Sequence, residues 1–188
     1  MLFENMTIIN GMVRDKELEF PTDYQNNNST CGSAAVQAVL TYYGKGDKLD
    51  IISKALHTNE NGTDYDQIIK FFKKEGFDVV AGQMTDDDLR MYIDKGVPVI
   101  VEIQAWRNDG HYSSNIYANG HYCVVIGYEN DRFIIEDPAL NNKKGYIPFL
   151  GFDIRWRGYG KTNEKLNNFG IAVIGKPTFK YNQTEEIL

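Results

Sequence analysis

Cysteine is scarce in this chain: Cys31 and Cys123 are the only two in 188 residues. Two are too few for a disulfide scaffold, and a domain of this length buries enough surface to fold without one. Histidine is nearly as scarce, with only His57, His111 and His121. No ligand pair has zinc-type spacing, because His121 and Cys123 are separated by a single residue. A metal site built from Cys31, His121, Cys123 and Asp137 is therefore a poor reading, and no metal or cofactor is implied. Basic clusters are missing too. The net charge is -6, which argues against a nucleic-acid or anionic-membrane partner. No apolar run approaches the roughly 20 residues needed to span a bilayer. The first residues, MLFENMTIING, lack the basic start and apolar stretch of a secretory signal. If Met1 is the native start, a cytoplasmic protein is expected; if a signal was removed, a secreted one. Repeats and low-complexity segments are absent.

What is present is the material of one globular domain over residues 1–188. The chain is 42% hydrophobic and 13% aromatic, enough for a sizeable core. A short strand is possible at Met6 to Ile9. The first firm helix starts at Cys31, with Ser29 or Thr30 available as cap, and its nearly continuous apolar run predicts burial. Further helices fit Leu49 to Leu56, a segment capped by Thr63 and ending at Gly76, and Asp86 to Lys95 with Thr85 as cap. The pattern then changes. Val97 to Ala105, His121 to Tyr128, Arg132 to Glu136, Tyr146 to Leu150 and Phe169 to Ile174 read as strands. A helical first half followed by an antiparallel second half is an α+β pattern.

Cys31 is the candidate nucleophile. Thiol chemistry needs the thiolate, and unpaired N–H groups at a helix start favour an anion there. Gly32 removes bulk beside the sulfur. The competing reading is a cysteine that simply packs. Gln25, six residues earlier in a polar loop, carries amide donors that could join the Cys31 N–H in holding an oxyanion. His121 opens an apolar strand and so can reach a cleft. Asp137 ends the next strand. If the two strands pair as a hairpin, Asp137 can accept the imidazole N–H and fix its tautomer. Asp-Pro is also a common turn opener. Cys123 is expected to pack beneath His121 as a small hydrophobe, and His57 to be solvated.

These segments resemble a known family. The run Asp23-Tyr-Gln-Asn-Asn-Asn-Ser-Thr-Cys-Gly-Ser-Ala-Ala is similar to the start of the bacteriocin-processing, double-glycine-leader cysteine peptidases, which have a papain-like fold. The similarity continues through Leu40-Thr-Tyr-Tyr-Gly, Gly62-Thr-Asp-Tyr-Asp-Gln-Ile, Gly96-Val-Pro-Val-Ile-Val and Gly120-His-Tyr-Cys-Val-Val-Ile-Gly-Tyr to Ile135-Glu-Asp-Pro. It covers roughly residues 20 to 158. Thr30 stands where the family often has Asp, and the segment before His121 is longer than usual. The resemblance implies a cysteine peptidase that hydrolyses a peptide bond through an acyl-thioester. It implies Gln25 in the oxyanion hole, Cys31 as nucleophile, His121 as base and Asp137 as its orienter, with a peptide or protein as partner. An amidase or acyltransferase using the same residues, or a non-catalytic peptide-binding domain, are the alternatives.

One more segment stands out. Trp106 to Gly120 has no helix or strand period and is predicted to be a long loop ending beside His121. Its Trp106, Tyr112 and Tyr117 either wall a substrate groove or pin the loop to the sheet.

Overall fold

The computed structural model describes residues 15–141 and 143–176; the possible strand at Met6 to Ile9 lies outside them. In chain order the elements are β1 (Lys16–Glu17), α1 (Cys31–Tyr42), α2 (Leu49–Ala55), α3 (Tyr65–Lys74), β2 (Asp78–Gln83), α4 (Asp86–Asp94), β3 (Val99–Gln104), β4 (Gly120–Tyr128), β5 (Arg132–Glu136), β6 (Lys144–Pro148), α5 (Phe149–Arg155), β7 (Arg157–Tyr159), β8 (Lys165–Asn167) and β9 (Phe169–Ile174).

The main sheet is antiparallel, in the order β2-β9-β3-β4-β5-β6, with β1 added to the far end of β4; β7 and β8 form a separate ribbon. The centre is made by β3 and β4, paired from Val99 opposite Val125 to Gln104 opposite Gly120. Every residue of β3 is buried. The register of β4 against β5 shifts between Val125 and Gly127, and a bulge of this kind bends a strand and increases its twist. Beside it, Gly127 meets the Lys16 carbonyl so closely that a Cβ would collide.

Helix α1 packs against β4. Its sequence, CGSAAVQAVLTY, is built of small and aliphatic residues, and all but two are buried. Small side chains let a helix lie close to a sheet, and burying a Val or Leu contributes about 1.5–3 kcal/mol. Helix α4 starts as the sequence implies: the Thr85 hydroxyl accepts the Asp88 N–H at 3.2 Å, and the Asp88 carboxylate accepts the Thr85 N–H at 2.8 Å.

Helix α3 differs from expectation at its start. Its cap is Asp64, whose carboxylate accepts the Asp66 N–H. Thr63 instead shares a 2.7 Å hydrogen bond with the Thr58 hydroxyl, which shares another with Ser33 of α1. The expected strand over Tyr146 to Leu150 is also shifted. It runs Lys144–Pro148 and turns into α5 at Phe149. Pro148 lacks the N–H a longer ladder would need, but suits a helix start. The rings of Phe149 and Phe152 pack edge-on or tilted against Phe133, and Phe152 packs tilted against Trp156.

Candidate active site

The pairing of β4 with β5 decides where two of the candidate residues meet. Val124 is opposite Glu136, so Asp137 lies diagonally across from His121. His121 Nε2 and Asp137 Oδ1 are 2.6 Å apart. The same Oδ1 accepts the Ala139 N–H at 2.8 Å, which fixes the carboxylate from outside the pair. Both residues are 7% exposed. Burial opposes a charged imidazole here, but hydrogen bonds to Asp137 and Cys31 outweigh it and push the His121 pKa up to about 9. The structure thus brings Cys31, His121 and Asp137 together, with the carboxylate bonded to the ring and the sulfur near enough to favour its charged form.

Cys31 is the first residue of α1. Neither expected cap acts as one. The Thr30 hydroxyl is turned to Asn26 Oδ1 and the Asn27 carbonyl, the Ser29 hydroxyl donates to Asn27 Oδ1, and no side chain caps the helix. Its first N–H groups are left for an anion beside the sulfur. The room for this close approach comes from Gly32. A Cβ there would stand 2.7 Å from the Thr63 Cβ and 3.1 Å from the Tyr122 ring, so a larger residue would push α1 away from its neighbours.

Gln25 belongs to the loop that leads into α1. Its backbone N–H donates to the Pro138 carbonyl at 3.0 Å, and the Asp23 N–H donates to Glu136 Oε1 at 2.7 Å. Two bonds therefore moor this loop to the end of β5, beside Asp137. The Gln25 amide itself donates to the Asn27 carbonyl at 3.0 Å and is not bonded to Cys31.

Cys31 lines a cleft of about 880 Å³ together with Thr63, Tyr65, Glu102, Tyr122 and Tyr159. Trp106 and Tyr112 are elsewhere. They line a smaller hollow of about 140 Å³ behind Asp137. Residues 105–119 form no helix or strand, as expected, and Gln104 holds their middle by donating to the Ser113 carbonyl at 2.9 Å. Arg155 stacks on Tyr112 at 3.7 Å. The Tyr117 hydroxyl donates to Asn167 Oδ1 at 2.7 Å, and its ring packs on Tyr159.

Cys123 is fully buried with a free thiol, and burial pushes its pKa well up. His57 is exposed at the end of α2, on the rim of the cleft. No group of three His, Cys, Asp or Glu side chains among the described residues could hold a metal ion, and no described helix is long and apolar enough to cross a membrane.

Two buried carboxyls escaped the sequence reading. Glu136 anchors the Gln25 loop, and its neighbour Asp137 drew attention away from it. Glu102 sits in the cleft. Its signal was available: one acidic residue inside the apolar strand Val-Ile-Val-Glu-Ile.

Comparison with known proteins agrees with this architecture. A family profile described as "Peptidase_C39 like family" matches residues 17–164. The Lactococcin-G-processing and transport ATP-binding protein LagD of Lactococcus lactis subsp. lactis is 30% identical over 135 residues; the match takes in 72% of this chain but only 17% of that protein. The peptidase domain of Streptococcus ComA, described as a bi-functional ABC transporter involved in a quorum sensing pathway, superposes with a TM-score of 0.63 at 23% identity, over 84% of this chain and all 100% of that one. A double glycine motif protease from an AMS/PCAT transporter, solved with its leader peptide, gives a TM-score of 0.63 at 19% identity over 87% of this chain and 95% of its own. The α+β arrangement is the papain-like fold of these peptidase domains.

Proposed function

Because the chain belongs to the Peptidase_C39 like family, we propose that it is a cysteine peptidase that hydrolyses a peptide bond through an acyl-thioester on Cys31. The observation that carries this reading is the buried ring of His121, bonded at 2.6 Å to Asp137, with the sulfur of Cys31 at an uncapped helix start near enough to favour the charged ring.

In this reading His121 takes the proton of Cys31, which gives a thiolate and an imidazolium. The thiolate attacks the scissile carbonyl carbon. The oxygen of the tetrahedral intermediate is held by the Cys31 N–H and by the Gln25 amide, which gives up its bond to Asn27 for this purpose. His121 passes its proton to the leaving amine and the C–N bond breaks, leaving the acyl-thioester. The neutral imidazole then takes a proton from water, whose oxygen attacks the thioester carbon. Collapse of the second intermediate releases the carboxylic acid and restores the ion pair. Asp137 holds the ring in one tautomer and orientation throughout.

A digest of a peptide library, read by mass spectrometry, tests the proposal. Hydrolysis yields fragment pairs whose masses sum to the parent plus one water. A library recovered intact after prolonged incubation with folded protein would reject it.

A further inference from the structure

The cleft beside Cys31 contains a carboxyl that the proposed chemistry does not use. Glu102 projects from the middle of β3 and is 9% exposed. It is opposite Tyr122 in the β3–β4 pair, so the two share a face of the sheet. The Tyr159 N–H and the Tyr122 hydroxyl lie near enough to favour the ionised form of the Glu102 carboxyl, but by less than burial opposes it. Its Oε2 has no hydrogen-bond partner. The carboxyl is wedged between Gly120 and Gly158, where a Cβ at either position would collide with it. Glu102, Tyr122, Gly120 and Tyr159 all line the cleft that contains Cys31.

An ionised carboxylate without a cation costs several kcal/mol to bury. Among the described residues no Lys or Arg is bonded to this one. Lys161, on the cleft rim, is directed to Asp64 at 3.8 Å. Burial raises the Glu102 pKa to about 7, and the surroundings add negative charge that acts in the same direction, from Asp64 and Glu164. A neighbourhood of this sign repels an acidic group and attracts a basic one. A basic group in the cleft would bring the positive charge and the donors that this carboxyl lacks.

We propose that Glu102 forms the floor of a substrate subsite beside Cys31 that takes a cationic side chain, a lysine ammonium or arginine guanidinium, of the bound peptide. The inference rests on the peptidase reading only in making the ligand a substrate. The subsite itself is defined by the Glu102 carboxyl, the Tyr122 side chain opposite it on the sheet, and the two glycines that admit it. Binding of a cation favours the ionised carboxylate, which burial alone disfavours, through a charge-assisted interaction.

The test separates recognition from chemistry. Acetylated, amidated octapeptides of Gly and Ala, with one lysine walked through the positions, are titrated by calorimetry against Cys31→Ala. Norleucine peptides are the neutral controls. At one position the lysine peptide should bind at least about tenfold more tightly than its norleucine twin, as expected for a hydrogen bond to a charged group. In Cys31→Ala/Glu102→Gln this ratio should fall close to one, with the thermal melt showing a folded protein. Cys31→Ala/Glu102→Asp, which keeps the charge, should retain part of it. A ratio unchanged in the Gln variant, or no position that favours lysine, overturns the subsite. The preferred lysine peptide is then given to wild-type protein. Selective binding without cleavage leaves the subsite standing and rejects the peptidase reading; cleavage without a lysine preference does the reverse.

Discussion

Asp137 reaches His121 diagonally across the β4–β5 pair, and the two side chains close to 2.6 Å in a site where each is 7% exposed. The contact sets the charge on the ring. With a pKa raised from 6.5 to about 9, imidazolium persists through neutral pH, and activity should fall on the alkaline side near that value. Asp137→Asn removes the strongest contribution raising the pKa and should draw this limb to lower pH. Its cost in turnover should stay below the about 10⁴-fold that losing the orienting carboxylate costs a serine triad, because a thiol gives up its proton more readily than a serine hydroxyl and depends less on an oriented base. The pH profile of kcat/KM for both proteins checks this. Stability carries the same signature. A raised folded-state pKa gives stabilisation that is complete below about 6.5 and is lost as pH rises through about 9. The deficit of Asp137→Asn in denaturant melts should therefore shrink between about pH 6 and about pH 10.

Glu136 is a second linkage site, with opposite use. Burial raises its pKa from 4.5 to about 7; the Asp23 N–H opposes the shift, and the charges of Asp23 and Asp137 add to it. The folded protein favours the protonated form, so this stabilisation is complete below about 4.5 and is lost as pH rises through about 7. Glu136→Gln stays neutral and keeps an oxygen for the Asp23 N–H. It should melt a few degrees above wild type near pH 8, at about 2–4 °C per kcal/mol for a chain of this size, and close to it near pH 4. Thermal melts at both pH values decide the matter; an equal gain at both would show that ionisation is not the cause.

Gly32→Ala tests the close approach of α1. Alanine gains about 1 kcal/mol of helix propensity, but overpacking against Thr63 and Tyr122 costs about 1–3 kcal/mol. A lower Tm and a reduced kcat, from displacement of the adjacent Cys31, are expected. Unchanged values of both would mean that Thr63 relaxes freely.

The loop aromatics are set up to distinguish a wall from an anchor. Tyr112 lies under Arg155 and Tyr117 is bonded to Asn167; neither lines the Cys31 cleft. Tyr112→Ala and Tyr117→Ala should each lose roughly 1–2 kcal/mol of stability and keep the wild-type ranking of peptide substrates. A changed ranking with an unchanged melt would return them to the substrate groove.

The parts of the molecule legible from residues alone are those with strong local signals. The apolar run from Ala34 to Leu40 gives α1. The Val-Ile runs of β3 and β4, with the short turn before Arg132, give the central strands and the hairpin that brings Asp137 toward His121. What stayed hidden depended on tertiary partners. Strand β2, Asp78–Gln83, is an edge strand with both faces partly exposed, so it shows no clean alternation. Helix α5 is seven residues long and its aromatic side chains pack against Phe133. The ribbon of β7 and β8 has three residues per strand, too few for a period. The cap of α1 was misread because Ser and Thr before a helix usually cap it, whereas Thr30 serves the loop holding Gln25.

The central claim is that Cys31 is the nucleophile. Wild type and Cys31→Ala, both shown to be folded by circular dichroism, are compared on the best substrate from the library digest. The account predicts that the alanine variant loses at least about 10³-fold in kcat/KM, since removal of a nucleophile leaves only binding and oxyanion stabilisation. Cleavage by Cys31→Ala within about tenfold of wild type, a difference of only about 1.4 kcal/mol in the barrier, would contradict it.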